Sequence, residues 1–419
     1  MNKLYFLLAF FIGHTATFAQ VLTPAKPEAA GMSAERLRRI DQMVNGLIES
    51  NAAPGAVVLI ARNGKIVYHQ AYGYSDTESK KPMLRDNIFR IASQTKAITS
   101  LAVMMLWEEG KFLLDDPVSK YIPVFKNPKV LKAFNPEDSS YIAEPAGKEI
   151  TIRQLLTHTS GIDYAAIGSA EFKAIYAKAG VPSGIGNDSD VLADKMRILG
   201  TLPLKHLPGE RWTYGLNSDV LGYLVEIWSG IPFDQFLKKR IFDPLGMKDT
   251  YFYLPKEKHD RLVPLYSGRD GKLEKQKSKA YDGVDPDYPY LNGKYFSGGA
   301  GLSSTVEDYA RFLQLFLNNG QYNNVRLLSR KTVEFMLTNQ QQMAGAFPVG
   351  LGFGLETSAN DHISVVSPGS FSWGGAFNTS YWADPKEKII GLIYTNIYNA
   401  STGNLGEKMR VLTYQAVSD

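Results

Sequence analysis

The chain has 419 residues, of which 44% are hydrophobic, 21% charged and 12% aromatic, and its net charge is +4. This composition is typical of a globular protein with a large apolar core and excludes a disordered chain. Lysine and arginine are spread along the chain without a basic block, which argues against nucleic-acid binding. The chain has no cysteine, which excludes disulfides, a thiol nucleophile, cysteine-ligated zinc and a lipid-modified cysteine.

Residues 1–19 predict a cleavable signal peptide. Lys3 precedes an apolar run over residues 4–12, and Thr17-Phe18-Ala19 places small residues before a cleavage point ahead of Gln20. This run is too short to span a bilayer; a buried N-terminal helix is the alternative interpretation. No later segment reaches about 18 uninterrupted apolar residues. We therefore expect a soluble mature protein, periplasmic or secreted, with no stable membrane insertion after cleavage.

The N-terminal part of the chain predicts a helix, a β-hairpin and a second helix. Ser33 is a suitable N-cap for apolar residues that recur at helical spacing. Residues 56–61 and 66–74 predict two strands joined at Asn63-Gly64, a dipeptide that favours tight hairpins. A dense apolar helix is then expected over residues 95–109.

The rest of the chain changes character twice. Residues 111–290 are rich in loops, with helices expected at 150–157 and 216–240 and an exposed loop over 267–287. Strands return at 352–356, 372–383 and 389–396, before a final helix over 404–416. Strands at both ends with helices between them predict one sheet built from the two termini, with a helical region inserted.

Ser93-Gln94-Thr95-Lys96 begins the dense apolar helix and predicts a nucleophilic serine with a lysine partner. A spacing of three on a helix puts Ser93 and Lys96 on one face, within hydrogen-bond reach. A buried lysine accepts the serine proton if desolvation lowers its pKa, and the helix N-terminus favours developing negative charge. Because this pattern occurs by chance about once in a chain of this length, an ordinary helix start is the alternative interpretation.

Further motifs follow in order and carry a family resemblance. They are Leu113-Leu114-Asp115-Asp116-Pro117, Leu155-Leu156-Thr157-His158-Thr159-Ser160-Gly161, Pro208-Gly209-Glu210-Arg211-Trp212-Thr213-Tyr214, Pro244-Leu245-Gly246-Met247, Gly298-Gly299-Ala300-Gly301-Leu302 and Trp373-Gly374-Gly375. Together with Phe89-Arg90-Ile91-Ala92 before Ser93, the set resembles the serine β-lactamase and penicillin-binding-protein family, in its esterase-type branch. The resemblance covers residues 33–415.

The resemblance implies an α+β fold. An antiparallel β-sheet flanked by helices would form one domain from residues 20–110 and 291–419. A mainly helical domain, residues 111–290, would be inserted and packed on one side, with the active site between the two. This expectation agrees with the organisation that the residue patterns predict on their own.

The resemblance also implies that Tyr214 relays protons to the leaving group jointly with Lys96. The family commonly has Asn or Ser two residues after this tyrosine, whereas this chain has Leu216 there and Asn217 one place later, as in the esterase-type branch. A core or interface tyrosine is the alternative interpretation of Tyr214. Literal Tyr-x-Asn patterns without the Pro-Gly-x-x-Trp lead are discounted; they begin at Tyr290, Tyr322 and Tyr394.

Trp373-Gly374-Gly375 stands where the family usually has Lys-Thr-Gly or His-x-Gly. The glycines let a strand backbone approach substrate closely, and a plain β-bulge is the alternative interpretation. The Ala376 N–H is expected to pair with the Ser93 N–H as an oxyanion hole, in which each donor contributes about 2.7–4 kcal/mol in the transition state.

Trp373 also bears on the substrate. The missing cation is the group that would hold a β-lactam or peptidoglycan carboxylate, and tryptophan offers an uncharged aromatic wall instead. Neutral short-chain or aryl esters are therefore favoured, unless an arginine or lysine from elsewhere restores the cation.

Other catalytic patterns are absent or weak. The sequence has no Gly-x-Ser-x-Gly, His-Glu-x-x-His or Walker motif. His158 is expected to hold a loop by hydrogen bonds. Asp282, Asp285 and Asp287 lack calcium-loop spacing and predict a solvated acidic turn. We expect neither a metal nor an organic cofactor.

We therefore predict an exported serine hydrolase that works through an acyl-enzyme on Ser93, as a carboxylesterase for short-chain or aryl esters. One alternative is a β-lactamase or D-amino-acid peptidase acting on cell-wall-like amides. Two more are an acyltransferase that passes the acyl group to another alcohol instead of to water, and a catalytically silent binder of cell-wall peptides. The partner in each case is a small molecule or peptide, and the sequence does not indicate an oligomeric state.

Overall fold

The computed structural model describes residues 20–268, 272–281, 283–341, 347–400 and 402–419. The predicted signal peptide lies outside the described residues, as does Asp282 of the predicted acidic turn. No helix among the described ranges is long and apolar enough to cross a membrane.

The secondary structure alternates short strands and helices between two strand-rich ends. The strands are β1 Thr23–Pro24, β2 Gly55–Arg62, β3 Lys65–Asp76, β4 Lys81–Pro82, β5 Phe89–Arg90, β6 Lys129–Phe134, β7 Tyr141–Pro145, β8 Tyr266–Ser267, β9 Glu274–Lys275, β10 Ser303–Ser304, β11 Gln321–Tyr322, β12 Val325–Arg326, β13 Gly354–Leu355, β14 Phe371–Gly375, β15 Thr379–Asp384, β16 Ile389–Tyr394 and β17 Ile397–Tyr398. The α-helices are α1 Ala34–Glu49, α2 Thr95–Glu108, α3 Ile152–Leu156, α4 Ala170–Lys178, α5 Leu192–Leu199, α6 Asn217–Ser229, α7 Phe233–Leu237, α8 Asp243–Leu245, α9 Val306–Leu317, α10 Arg330–Met336 and α11 Leu405–Tyr414.

The main sheet joins the two ends of the chain. Its strand order is β1-β3-β2-β16-β15-β14-β13, with β4 on the edge of β3. Every pair in this order is antiparallel except β1 with β3. β2 and β16 meet at the centre, with Val57 opposite Tyr394 and Arg62 opposite Ile389. The α+β fold with an antiparallel sheet is therefore confirmed, while the exact domain boundaries stay a prediction.

Both faces of the sheet are covered. Successive residues of β2 point to opposite faces, so Val57 and Leu59 enter the larger core, whereas Val58 and Ile60 enter a second core. Helices α1 and α11 cover the second core, and α2 and α9 lie in the larger one. This double burial explains why β2 is a continuous apolar run rather than an alternating one.

Several local predictions are confirmed. Ser33 caps α1, because its Oγ accepts a hydrogen bond of 3.2 Å from the Arg36 N–H. The hairpin between β2 and β3 turns at Asn63 and Gly64, both left-handed with φ of 53° and 69°. That pair of angles is what a two-residue hairpin turn requires.

Three expectations are wrong in detail. The strand predicted over 372–383 is two strands, β14 and β15, separated by a turn at which Asn378 is left-handed with φ 58°. The helix predicted over 216–240 ends at Ser229, because Gly230 adopts a left-handed cap with φ 73°. In the described part of 267–287, Ala280 and Val284 are buried against Phe377, so this segment is not wholly an exposed loop.

Candidate active site

Ser93 lies on a tight turn that leads directly into α2. The turn is a 3-10 segment, Ala92–Gln94, and Ala92 before the serine is left-handed with φ 42°. A non-glycine residue in this region is strained, and such strain persists only where the surroundings hold it. Gln94 supplies that hold, since its side chain accepts a hydrogen bond from Tyr394 and its carbonyl accepts one from Tyr309.

Lys96 points back at the serine from the first turn of α2. Its Nζ is buried and donates hydrogen bonds to Ser93 Oγ at 3.4 Å, Tyr164 OH at 3.0 Å and Gly299 O at 2.7 Å. Three acceptors match the three donors of an ammonium group. The spacing of three residues thus brings serine and lysine together as the sequence pattern predicts.

The sequence-based prediction requires burial to lower the pKa of Lys96, but in the structure this pKa is raised. Burial by itself disfavours the ammonium, but the oxygens of Tyr164 and Tyr214 outweigh it and raise the pKa of Lys96. Burial likewise raises the pKa of the Tyr164 phenol, against the opposing charge of Lys96. Lys96 therefore carries its proton at rest, and a proton must leave this cluster before Ser93 can be deprotonated.

Tyr164 is a member of the site that the sequence analysis missed. It lies in the loop between α3 and α4, just after the Thr-Ser-Gly motif, and its hydroxyl contacts Lys96 directly. No pattern around it distinguishes it from a core tyrosine. Its position directly after the Leu-Thr-His-Thr-Ser-Gly motif is the one signal that could have drawn attention to it.

Tyr214 lies on the other side of Lys96. The Lys96 Nζ is 4.4 Å from the centre of its ring, and its buried hydroxyl has no hydrogen-bond partner among the described residues. The ring stacks on Trp212 at 5.6 Å and lies 6.0 Å from Trp373. Contacts thus connect Ser93 to Lys96, Lys96 to Tyr214 and Tyr214 to Trp373, which come from three separate motifs. Trp373 does not line the pocket that adjoins Ser93.

His158 supports Tyr214 rather than acting as a base. Its ring lies 5.0 Å from the Tyr214 ring, and its Nδ1 is 2.9 Å from the side-chain amide of Asn217. Burial, aided by the charge of Lys96, lowers the pKa of His158 to about 3, so the ring is neutral. Asn217 also accepts a hydrogen bond from Ser160, so it belongs to this support and does not line the pocket.

The strand that carries Trp373-Gly374-Gly375 approaches the nucleophile turn closely. A Cβ on Gly375 would collide with the Ile91 carbonyl and with the Thr379 hydroxyl, so only glycine allows this approach. A Cβ on Gly374 would be near only one atom, the Thr379 carbonyl oxygen, at 3.3 Å. Ala376 follows in the β14–β15 turn, and its carbonyl accepts a hydrogen bond from Tyr281.

A small apolar pocket adjoins Ser93. Its volume is about 160 Å³, and both Ser93 and Ala376 line it. The other lining residues are nearly all apolar, and none is a lysine or an arginine: Ala92, Tyr164, Ala166, Ile167, Ser183, Ile185, Tyr281, Val284, Ala300 and Phe377. The pocket can therefore take a small uncharged group with its reacting carbon beside Ser93.

None of the three discounted tyrosines lines the pocket beside Ser93. The Tyr394 hydroxyl donates a hydrogen bond to the Gln94 side chain, and the Tyr322 hydroxyl accepts one from the Leu22 N–H. Tyr290 packs on His259. A larger cavity of about 740 Å³ lies between β14 and the start of α11. Trp373 and Gly374 line it, whereas Ser93, Lys96 and Tyr214 do not. The described part of the chain contains no cluster of His, Asp and Glu able to hold a metal ion.

The chain is similar to known proteins over most of its length. The family model described as Beta-lactamase matches residues 40–412. Esterase EstB of Burkholderia gladioli is 30% identical over 410 residues, covering 93% of this chain and 98% of that protein. Protein Rv1367c of Mycobacterium tuberculosis is 35% identical over 368 residues, covering 84% of this chain and 87% of that protein.

The fold has matching solved structures as well. The structure titled "EstCE1, a hydrolase with promiscuous acyltransferase activity" superposes with a TM-score of 0.77 at 28% identity, and covers 91% of this chain and 99% of that one. The motifs, the sheet order and these similarities lead to one identification. The chain belongs to the β-lactamase family.

Proposed function

We propose that this protein, a serine hydrolase of the carboxylesterase type, hydrolyses esters of short acyl or aryl acids through an acyl-enzyme on Ser93. The observation that carries the proposal is the Ser93 hydroxyl, which lies 3.4 Å from Lys96 Nζ and lines an apolar pocket. Relatives with esterase names at 30% identity support the same chemistry.

The reaction follows from the groups around Ser93. The Lys96–Tyr214 pair, after losing a proton, accepts the Ser93 proton as Oγ attacks the ester carbonyl. The N–H groups of Ser93 and Ala376 stabilise the oxyanion. Tyr214 then protonates the departing alcohol. Water attacks the acyl-enzyme by the same proton path in reverse, which releases the acid and restores Ser93.

The pocket supports a small neutral acyl group. A cavity of about 150 Å³ lined by apolar side chains is known to bind benzene in another protein, and the pocket beside Ser93 has about 160 Å³. A six-carbon chain or one aromatic ring fits this space. A β-lactam or peptide carboxylate finds no cation in the pocket lining, and burying an unpaired carboxylate is costly.

The test compares p-nitrophenyl esters from acetate to palmitate with nitrocefin, on wild type and Ser93→Ala. We expect the highest kcat/KM between butyrate and hexanoate or benzoate, no nitrocefin turnover, and a covalent fluorophosphonate adduct by intact mass only when Ser93 is present. Faster hydrolysis of nitrocefin than of every ester would establish the β-lactamase alternative. An adduct that persists in Ser93→Ala would exclude Ser93 as the nucleophile.

We also propose that the protein is exported, which its N-terminal sequence supports. The mature chain then begins at Gln20. Intact-mass measurement of the protein recovered from the periplasm or medium checks this, and a chain that retains residues 1–19 there would contradict it.

A further inference from the structure

Asp219 is a buried carboxyl group beside the catalytic cluster that the proposed mechanism leaves unused. It lies in the first turn of α6 and is wholly buried. One carboxyl oxygen, Oδ1, accepts a hydrogen bond of 3.3 Å from the Tyr295 hydroxyl. The other, Oδ2, has no hydrogen-bond partner among the described residues.

Gly299 is the point at which this carboxyl meets the cluster. A Cβ on Gly299 would lie 2.7 Å from Asp219 Oδ2, 3.0 Å from Tyr164 OH and 3.5 Å from Lys96 Nζ. All three groups therefore surround one glycine, which leaves room for them because it has no side chain. Oδ2, the unpaired oxygen of Asp219, is the nearest of the three atoms to that position.

The charges around this point are few. The groups that face Asp219, or Lys96 beside it, are Lys96 from α2, His158 and Tyr164 from the loop after α3, Tyr214 from the segment before α6, and Tyr295 from the segment before α9. Lys96 is the one cation in this set. His158 is neutral because burial and Lys96 lower its pKa.

Asp219 is ionised at neutral pH in spite of its burial. Burial raises its pKa to about 6, against the opposing effects of the Ser297 hydroxyl, the Lys96 charge and the Tyr295 hydroxyl. A buried carboxylate is costly unless a cation compensates it, and Lys96 is that cation here. Conversely, the charge of Asp219 helps to raise the pKa of Tyr164 and so opposes the loss of a proton from that phenol.

We propose that Asp219 is a positioning residue that provides the counter-charge of Lys96 and sets the pH above which the Lys96–Tyr164–Tyr214 cluster can give up the proton needed for attack by Ser93. The inference rests on the proposed function, because it assigns a role within the same site. It requires no contact between Asp219 and the substrate.

The experiment measures the pH dependence of kcat/KM for p-nitrophenyl butyrate, and of fluorophosphonate labelling at Ser93, for wild type and Asp219→Asn. Asparagine keeps the shape and removes the charge, so proton loss from the cluster becomes easier whichever group loses it. We expect the midpoint of the rising limb to move to lower pH by about one unit. Asp219→Ala removes the same charge, and this variant is used if Asp219→Asn does not fold.

Asp308→Asn is the matched control. Asp308 is also a buried carboxyl whose pKa burial raises to about 6, but its partners are Asp249, Thr250 and Arg311, away from the cluster. Its midpoint should equal that of wild type. A midpoint for Asp219→Asn that is unchanged or moves to higher pH would overturn the proposal. A wild type that is labelled at Ser93 but hydrolyses no ester would contradict the proposed function alone, and its labelling midpoint would still test Asp219.

Discussion

Ser93 lies between two unlike walls. One wall is polar and titratable, formed by Lys96, Tyr164 and Tyr214, and hydrogen bonds and ring contacts hold it together. The other wall is the apolar pocket, where Ile167 is half exposed and Ile185 is partly buried. In the first wall Lys96 lies on α2, whereas Tyr214 lies in the segment before α6 and Tyr164 in the loop after α3. The second wall is carried by loops.

The difference separates chemistry from selectivity. Groups that move protons must be placed within fractions of an ångström, and the buried hydrogen bonds and ring contacts around Lys96 provide that precision. Groups that select an acyl chain need only the right volume, and loops can change without disturbing the core. Substitutions in the titratable wall should therefore lower the rate for every ester, whereas substitutions in the pocket should change the order of preference among esters.

The largest effect is expected from the nucleophile itself. Ser93→Ala removes the attacking oxygen, and the loss of kcat should reach about 10⁴-fold or more, as for other serine hydrolases. Hydrolysis of p-nitrophenyl butyrate measures it, with circular dichroism to confirm the fold. Residual activity above about 1% of wild type would mean that another group attacks the ester.

The two tyrosines of the titratable wall should differ. Tyr214→Phe keeps the ring stacked on Trp212 and removes the hydroxyl, so kcat should fall by about 10²–10⁴-fold with little change in KM. Tyr164→Phe removes one acceptor from Lys96 and should cost about 10-fold. The kcat values of the two variants show which tyrosine transfers the proton. An equal loss in both variants would assign proton transfer to both tyrosines.

A substitution in the pocket should act on selectivity. Ile185→Phe fills part of the pocket beside Ser93 with a larger side chain, so kcat/KM for the hexanoate ester should fall by about 10–100-fold relative to the acetate ester. Ile198→Phe is the matched control, because Ile198 lies on α5 outside that pocket. A uniform loss across all chain lengths in Ile185→Phe would show that the two walls are not independent.

The smallest effect concerns stability. The pKa of Asp219 is raised from its ordinary 3.8 to about 6 in the folded state. Ionising it therefore destabilises the folded protein progressively as pH rises from about 4 to about 6, and the loss is complete above that. The Tm of Asp219→Asn minus that of wild type should rise by about 2–4 °C between pH 4 and pH 7, measured by calorimetry; a difference independent of pH would contradict the raised pKa.

Local rules predict much of the scaffold. The Ser33 cap, the Asn63-Gly64 turn and the lysine three residues after Ser93 each depend on neighbours in sequence, and each lies where its pattern places it. The split between β14 and β15 was missed because the turn, closed by the hydrogen bond from the Asn378 N–H to the Gly375 carbonyl, has no proline and its one glycine was assigned to the strand. The strand pattern therefore continues through it without interruption.

Long-range convergence is what the sequence could not provide. Tyr164, Asp219 and Gly299 belong to three distant segments, and their meeting around Lys96 depends on how α2 and α6 pack. Apart from the motif that precedes Tyr164, nothing in the local sequence marks Tyr164 or Asp219, since buried tyrosine and aspartate residues occur in many cores. The charge state of Lys96 could not be predicted from the sequence either, because neighbouring tyrosines set it as well as burial.

The burial of α2 has a consequence for how the protein would be inactivated. Every residue from Thr95 to Leu106 is buried, and Ser93 lies immediately before this helix. A helix enclosed on all sides has no frayed state of low energy, so its amides should exchange with solvent only when the whole molecule opens. Loss of activity on heating would then coincide with global unfolding, and residual activity would serve as a direct count of intact molecules.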